Sequence, residues 1–170
     1  MGMKQILRNT ILLLIVWCNI GCDQISKNIV REKLDYNDKI DLIENHFTLT
    51  KIENAGAFLS LGDSLPGPIK FILLSLLPLM ALVVGIYIVL TKTDMKTPLV
   101  IGICFIIGGG FGNLYDRIVY GSVTDFLHIN FVIFQTGIFN MADVSIIIGA
   151  FIMLIYTYTK KAKVEELQAP

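Results

Sequence analysis

The residues best placed to do chemistry in this sequence are two aspartates, Asp125 and Asp143. Asp143 sits in an otherwise apolar stretch with no cationic residue within two turns on its own segment. A lone ionised carboxylate there would cost several kcal/mol, so its partner must come from elsewhere in the fold. Asp125 is the acidic neighbour that such a fold could supply. Two carboxylates sharing one site do not both ionise easily, so the pair holds a single proton. Such a pair can activate water with one carboxylate while the other, protonated, donates to a scissile carbonyl oxygen, the chemistry of aspartic proteases.

Other polar residues gather beside them at helical spacing. Asp23 and Lys27 are four apart, Asn113 and Arg117 are four apart, and Asn140 and Asp143 are three apart, so each pair shares a helix face. Each also has a plainer reading: Asp23 with Lys27 as an ion pair closing a helix end, Arg117 as a marker of the membrane edge, and Asn140 as a hydrogen bond between helices. Rival catalytic designs are absent. There is no His-Glu-x-x-His and no Gly-x-Ser-x-Gly, and His46 and His128 are the only imidazoles. Gly108-Gly109-Gly110-Phe111-Gly112 lies in an apolar segment and lacks the following Lys-Ser/Thr of a phosphate loop. No ligand cluster has metal-binding spacing, so neither a metal nor another cofactor is expected.

The elements that must position these residues belong to a membrane. The chain has 170 residues, 54% hydrophobic and 16% charged, with a formal net charge of zero. That is too apolar for an ordinary soluble domain and offers no basic excess for nucleic acid. Four segments suit a spanning helix of about 20 apolar residues: roughly 4–22, 68–90, 98–115 and 138–158. Lys4 and Arg8 precede the first, Lys92 and Lys96 link the second to the third, and Lys160, Lys161 and Lys163 follow the fourth. The positive-inside rule puts all three groups, and both termini, in the cytoplasm. The segments at about 23–67, with a β-cradle insert at about 35–66, and at about 116–137 then lie outside. The first contains His46-Phe47-Thr48-Leu49-Thr50-Lys51-Ile52, whose alternation predicts a strand of a small sheet resting on the membrane. The second is apolar but broken by Gly121, Asp125, His128 and Asn130, and is expected at the membrane interface. Cys18, Cys22 and Cys104 form no visible disulfide framework, and buried thiols are the expectation. The run up to Cys22 mimics a lipoprotein cleavage box, but Asn19 stands where such boxes usually carry Leu, and three further spans follow.

The motifs Asp23-Gln24-x-Ser26-Lys27, Asn54-x-Gly56-Ala57, Gly108-Gly109-x-x-Gly112-Asn113-x-x-Asp116-Arg117, Val123-x-Asp125-Phe126 and Phe139-Asn140-x-Ala142-Asp143 occur in this order. In these the chain resembles the lipoprotein signal peptidases, or signal peptidase II, of bacterial membranes, over nearly its whole length. The resemblance implies an all-α membrane protein of four transmembrane helices, with a small extracytoplasmic β-cradle and an interfacial helix. It implies that Asp125 and Asp143 are the catalytic pair. Asn54, Gly56, Asn113, Arg117 and Asn140 would position the substrate or the pair, and Asp23 and Lys27 would support the site from the first helix. The implied substrate is a prolipoprotein whose cysteine carries diacylglycerol, cut just before that cysteine at the outer face of the inner membrane. Membrane lipids would be its other partners, no nucleic acid is implied, and the protein would act as a monomer. One departure is visible: Asn54-Ala55-Gly56-Ala57 runs straight into Phe58, one alanine short of the family's usual Asn-x-Gly-Ala-Ala-Phe, which leaves Asn54's correspondence intact but not Phe58's.

Two readings of other classes stand beside the peptidase. An ion-coupled carrier would use an intramembrane acid such as Asp143, but its site belongs near the midplane at a repeat interface, whereas these residues crowd one end and no repeat is seen. A noncatalytic scaffold leaves the five motifs unexplained.

Overall fold

The computed structural model describes residues 2–44, 46–57, 60–131 and 133–168, with side chains described through residue 160. Phe58 lies outside the described residues. Four helices are long and apolar enough to cross a membrane. They are α1 (Met3–Lys33), α2 (Gly67–Thr91), α3 (Thr97–Val119) and α4 (Met141–Gln168). Large apolar side chains such as Trp17, Phe71, Tyr87 and Phe151 stand exposed on the outside of the bundle, where lipid is their natural solvent. Leu12, Val16, Leu82, Val89, Val100, Cys104, Ile107 and Leu114 fill its interior. Cys18 and Cys22, expected to be buried, are instead exposed on α1, and only Cys104 is buried. They lie on the helix face turned away from its neighbours, where a thiol behaves as a small apolar group.

Small residues set how closely the helices approach. Gly102 on α3 and Gly149 on α4 face each other backbone to backbone. A Cβ at Gly102 would stand 2.7 Å from the Gly149 carbonyl oxygen, and one at Gly149 would meet that of Gly102. Within α2, Ile72–Leu76 forms one π turn, with Leu77 N–H reaching the Ile72 carbonyl. It ends just before Leu77-Pro78, and Pro78 has no N–H with which to continue the regular ladder.

The sheet at one end of the bundle has three antiparallel strands in the order β1 (Lys39–Ile43), β2 (Phe47–Asn54), β3 (Val123–Ile129). β2 is the strand expected from the alternation around Thr48. β3 comes from the segment expected merely at the interface. Its run Val123-Thr124-Asp125-Phe126-Leu127 is buried throughout, because the sheet packs on the end of α1, where Val30 and, just past the helix, Leu34 meet Phe126 and Leu127.

The first helix runs past the expected end at Cys22 to Lys33. At 31 residues it is about 46 Å long, well beyond the roughly 30 Å of a hydrocarbon core. Its polar end carries Asp23, Lys27 and Arg31 along one face and supports β3. Among the described residues this extension is a helical part of the sheet end.

Candidate functional site

The nine residues singled out above come together where the sheet meets the helix ends. β2 brings Asn54, the turn after it Gly56, α3 Asn113 and Arg117, β3 Asp125, α1 Asp23 and Lys27, and the start of α4 Asn140 and Asp143.

Asn140 stands between the two aspartates. Its side-chain nitrogen donates to Asp125 Oδ1 at 2.6 Å and to Asn113 Oδ1 at 3.1 Å. Its side-chain oxygen accepts the Asp143 N–H at 3.0 Å, and its own N–H donates to Asp143 Oδ2 at 3.1 Å. This is a reciprocal cap: the residue before the helix satisfies one open N–H of the first turn while the third helical residue satisfies the cap's own N–H. The other oxygen of each carboxylate has its own amide donor. Asn54 Nδ2 donates to Asp125 Oδ2 at 3.0 Å, and Asn113 Nδ2 donates to Asp143 Oδ1 at 2.9 Å. Asp125 is 4% exposed. Burial pushes its carboxyl from the ordinary 3.8 up to about 6; the Asn54 bond pulls down, Asp143 pushes up, and Asn140 and Lys27 pull down.

A buried ionic cluster orients this layer. Lys27, fully buried, donates to Asp23 Oδ2 at 2.8 Å and Asn113 Oδ1 at 2.9 Å, and pairs with Asp116 Oδ2 at 3.0 Å, so three acceptors surround an ammonium with three protons. With its oxygen held by Lys27 and Asn140, the Asn113 amide can turn only its nitrogen toward Asp143. Asp23 Oδ1 in turn accepts the Ala142 N–H at 2.9 Å, tying α1 to the first turn of α4. Gly112 leaves room for this, since a Cβ there would come 2.5 Å from Asp23 Oδ2.

Arg117 and Gly56 fix the turn beyond β2. Arg117 Nη2 donates to the Gly56 carbonyl at 3.0 Å, and the Gly56 N–H donates to Asn54 Oδ1 at 3.0 Å. A Cβ at Gly56 would meet the Ser60 backbone at 2.5 Å. Arg117 Nε is buried without a hydrogen-bond partner among the described residues, which leaves one donor of a cation beside the two carboxylates unspent.

Gln24 and Asp116, which stand in the motifs above without an assigned role, and Arg31, Glu53 and Thr124, which no motif singled out, also belong to this layer. Gln24 Nε2 bridges Asp23 Oδ2 and Asp116 Oδ1 at 3.0 and 3.1 Å. The repeat of four through Asp23, Lys27 and Arg31 was the available signal for a charged helix face. The pairing of Glu53 with Thr124 depends on strand register, which no local pattern reveals.

The family model described as Signal peptidase (SPase) II matches residues 14–159. A protein named lipoprotein signal peptidase from Clostridium novyi (strain NT) is 31% identical over 145 residues, covering 85% of this chain and 95% of that one. One of the same name from Halothermothrix orenii is 35% identical over 149 residues, covering 87% and 95%. Among solved structures, two described as bacterial membrane enzymes share the fold. One has a TM-score of 0.79 at 24% identity and covers 91% of each chain; the other has 0.76 at 25% and covers 87% of this chain and 92% of its own.

Proposed function

The chain belongs to the signal peptidase II family, and from that premise we propose that it is an aspartic endopeptidase of the bacterial inner membrane. It removes the signal peptide from diacylglyceryl-modified prolipoproteins by cutting before the lipidated cysteine. The observation that carries this reading is Asn140, whose side chain and backbone bond Asp125 and Asp143 together at 2.6 to 3.1 Å.

In the reaction, one carboxylate of the pair takes a proton from water as the oxygen adds to the scissile carbonyl, and the protonated one donates to the carbonyl oxygen. The tetrahedral intermediate then collapses as a proton passes to the leaving nitrogen, which frees the new amino terminus at the cysteine and returns one proton to the pair. The pair titrates as a unit, so neither aspartate is assigned a fixed part. Asn54, Asn113 and Asn140 hold the carboxylates to a single geometry, a condition for proton transfer within hydrogen-bond reach. Arg117 Nε, with no partner among the described residues, is a donor for a backbone carbonyl of the substrate. Asp23 and Lys27 hold Asn113 and the first turn of α4 from behind.

Both chain termini face the cytoplasm on the positive-inside reading, and the sheet and the aspartates face outward. A diacylglyceryl group would anchor the scissile bond at that surface, so binding energy can come from acyl chains and an apolar signal helix.

The test is cleavage of a synthetic diacylglyceryl-modified prolipoprotein by the purified protein in detergent, with D125N and D143N beside it. Cutting before the lipidated cysteine by the wild type, and by neither folded variant, is expected. Equal cleavage by all three would remove the aspartate mechanism.

A further inference from the structure

Arg31 stands apart from the nine residues of the site, on the part of α1 beyond the expected span. Its guanidinium is held by hydrogen bonds at Nε and Nη1 and by an ion-pair contact at Nη2 that lacks hydrogen-bond geometry. Nε donates to Thr124 Oγ1 at 2.9 Å, Nη1 donates to Asn28 Oδ1 at 3.2 Å, Nη2 lies 2.9 Å from Asp116 Oδ1, and the group sits 4.0 Å over the Tyr120 ring. One planar cation thus joins α1, the end of α3 and β3, a use for which the rigid fork of arginine suits better than a lysine.

Thr124 precedes Asp125 and is fully buried. Its hydroxyl accepts from Arg31 and donates to Glu53 Oε1 at 2.8 Å, while its N–H donates to Asp116 Oδ2 at 3.3 Å. Glu53 is Thr124's partner in the β2–β3 register, and its other carboxylate oxygen accepts from Ser122 at 2.6 Å. Side chains alternate across a strand, so Glu53 and Thr124 face one side of the pair. Asn54 and Asp125, the next residue of each strand, face the other as diagonal neighbours. Fixing the first pair therefore fixes the second.

The geometry points to Arg31 as a positioning residue for the cleavage proposed above: through Thr124 it holds β2 and β3 where Asn54 and Asn140 both reach Asp125. The inference rests on that reading of the reaction, and Arg31 acts on it only through Thr124. A purely structural role would run through the ion pair with Asp116 instead. R31K separates the two, because a lysine keeps a cation for Asp116 but has no Nε fork with which to engage Thr124 at the same time. T124V removes the hydroxyl at nearly constant shape.

Full-length wild type, R31K and T124V in detergent are compared by thermal unfolding, by kcat and KM on a diacylglyceryl-modified prolipoprotein, and by carboxyl-carbon NMR of Asp125, identified against D125N. R31K is expected to unfold near the wild-type temperature and T124V, which leaves Arg31 Nε and Glu53 Oε1 without this partner, some degrees below it, so both are assayed at a temperature where they are fully folded. Their kcat should fall about tenfold or more with KM within about twofold, as misplacement of reacting groups does. The Asp125 titration should move to higher pH, because looser asparagine bonds stabilise its charged form less. Asp143, Lys27 and Arg117, the charged groups facing Asp125, are unaltered in both variants, so that shift reports on the asparagine bonds. An unmoved titration with unchanged kcat, or a kcat loss that only follows loss of folded protein, overturns the inference. The titration needs no substrate, so a wild type that fails to cut would count against the peptidase reading while the NMR arm still decides the role of Arg31.

Discussion

Asn140 and Asp143 cap each other: Asn140 Oδ1 accepts the Asp143 N–H at 3.0 Å, and Asp143 Oδ2 accepts the Asn140 N–H at 3.1 Å. The usual purpose of such an exchange is to close a helix start. Here it also consumes one oxygen of Asp143 and leaves the Asn140 amide nitrogen pointing at Asp125. The start of α4 and the geometry of the two carboxylates are therefore one structure.

A serine at position 140 takes this apart. Serine is as good an N-cap as asparagine, so N140S should keep the helix start that N140A loses at about 1 kcal/mol, while both variants give up the buried bonds to Asp125 and Asn113 alike. Alanine has no donor for Asp125, and the serine hydroxyl is shorter than the amide that reaches it at 2.6 Å. Both should lose about a hundredfold or more in kcat, the scale of a misplaced acid–base group. Thermal unfolding and cleavage kinetics on the same preparations check this, and activity surviving in N140S would assign Asn140 to capping alone.

The pH dependence follows from Asp125. Burial raises its carboxyl to about 6, and the Asn54 bond acts in the opposite direction by stabilising the charged form. The pair needs one proton to work, so kcat/KM should decline on the alkaline side as that proton is lost. In N54A a donor to the charged carboxylate is gone, the proton is held to higher pH, and the alkaline limb should move up. Its rate at the optimum should also fall, because Asn54 nitrogen binds the Ala57 carbonyl as well. A limb that moved down instead would mean that Asn54 bonds the protonated form.

How much of this was legible in the sequence depends on the range of each interaction. The intramembrane cost of Asp143 and the spacings of Asp23 with Lys27 and Asn113 with Arg117 are local, and they located the convergence of polar residues before any coordinates. The continuation of α1 to Lys33 was missed because Asp23, Lys27 and Arg31 end the hydropathy signal while leaving helix propensity intact. β3 was missed because a strand buried on both faces loses its alternation. The bonds through Thr124, Glu53 and Asn54 depend on a register with an irregularity between Leu49 and Ile52, which only the assembled sheet determines.

Lys27 should be the least replaceable residue for folding. Its ammonium, with Asp23 and Asp116 around it, is fully buried. Among the described residues K27M would leave the two carboxylates with one ion pair, Arg31 with Asp116, and none for Asp23. Breaking a buried pair from one side costs about 3–5 kcal/mol, a large share of the stability of most domains. K27M should therefore yield little folded protein or unfold far below the wild type, as thermal unfolding in detergent will read. D23N combined with K27M removes one of the stranded charges and should recover part of the loss. If K27M alone were as stable as the wild type, water or a neighbouring cation would have to reach the cluster.

Asn113 and Asp143 stand on two helices whose separation is set by small residues. Gly102 and Gly149 let α3 and α4 approach backbone to backbone, and a Cβ at Gly149 would meet the Gly102 carbonyl and, at 3.0 Å, the Ile106 backbone nitrogen. Neither neighbour is the flexible end of a side chain, so in G149A the helices must separate. Overpacking of this kind costs about 1–3 kcal/mol. Separation would also lengthen the 2.9 Å bond from Asn113 to Asp143, although Gly149 lies well down the helix from that pair. G149A should thus unfold earlier than the wild type and lose kcat at temperatures where it is still folded. A variant that unfolds earlier but cuts at the wild-type rate would show that the buried ionic layer, through Lys27 and Asp23, holds the site regardless of how the helices pack below it.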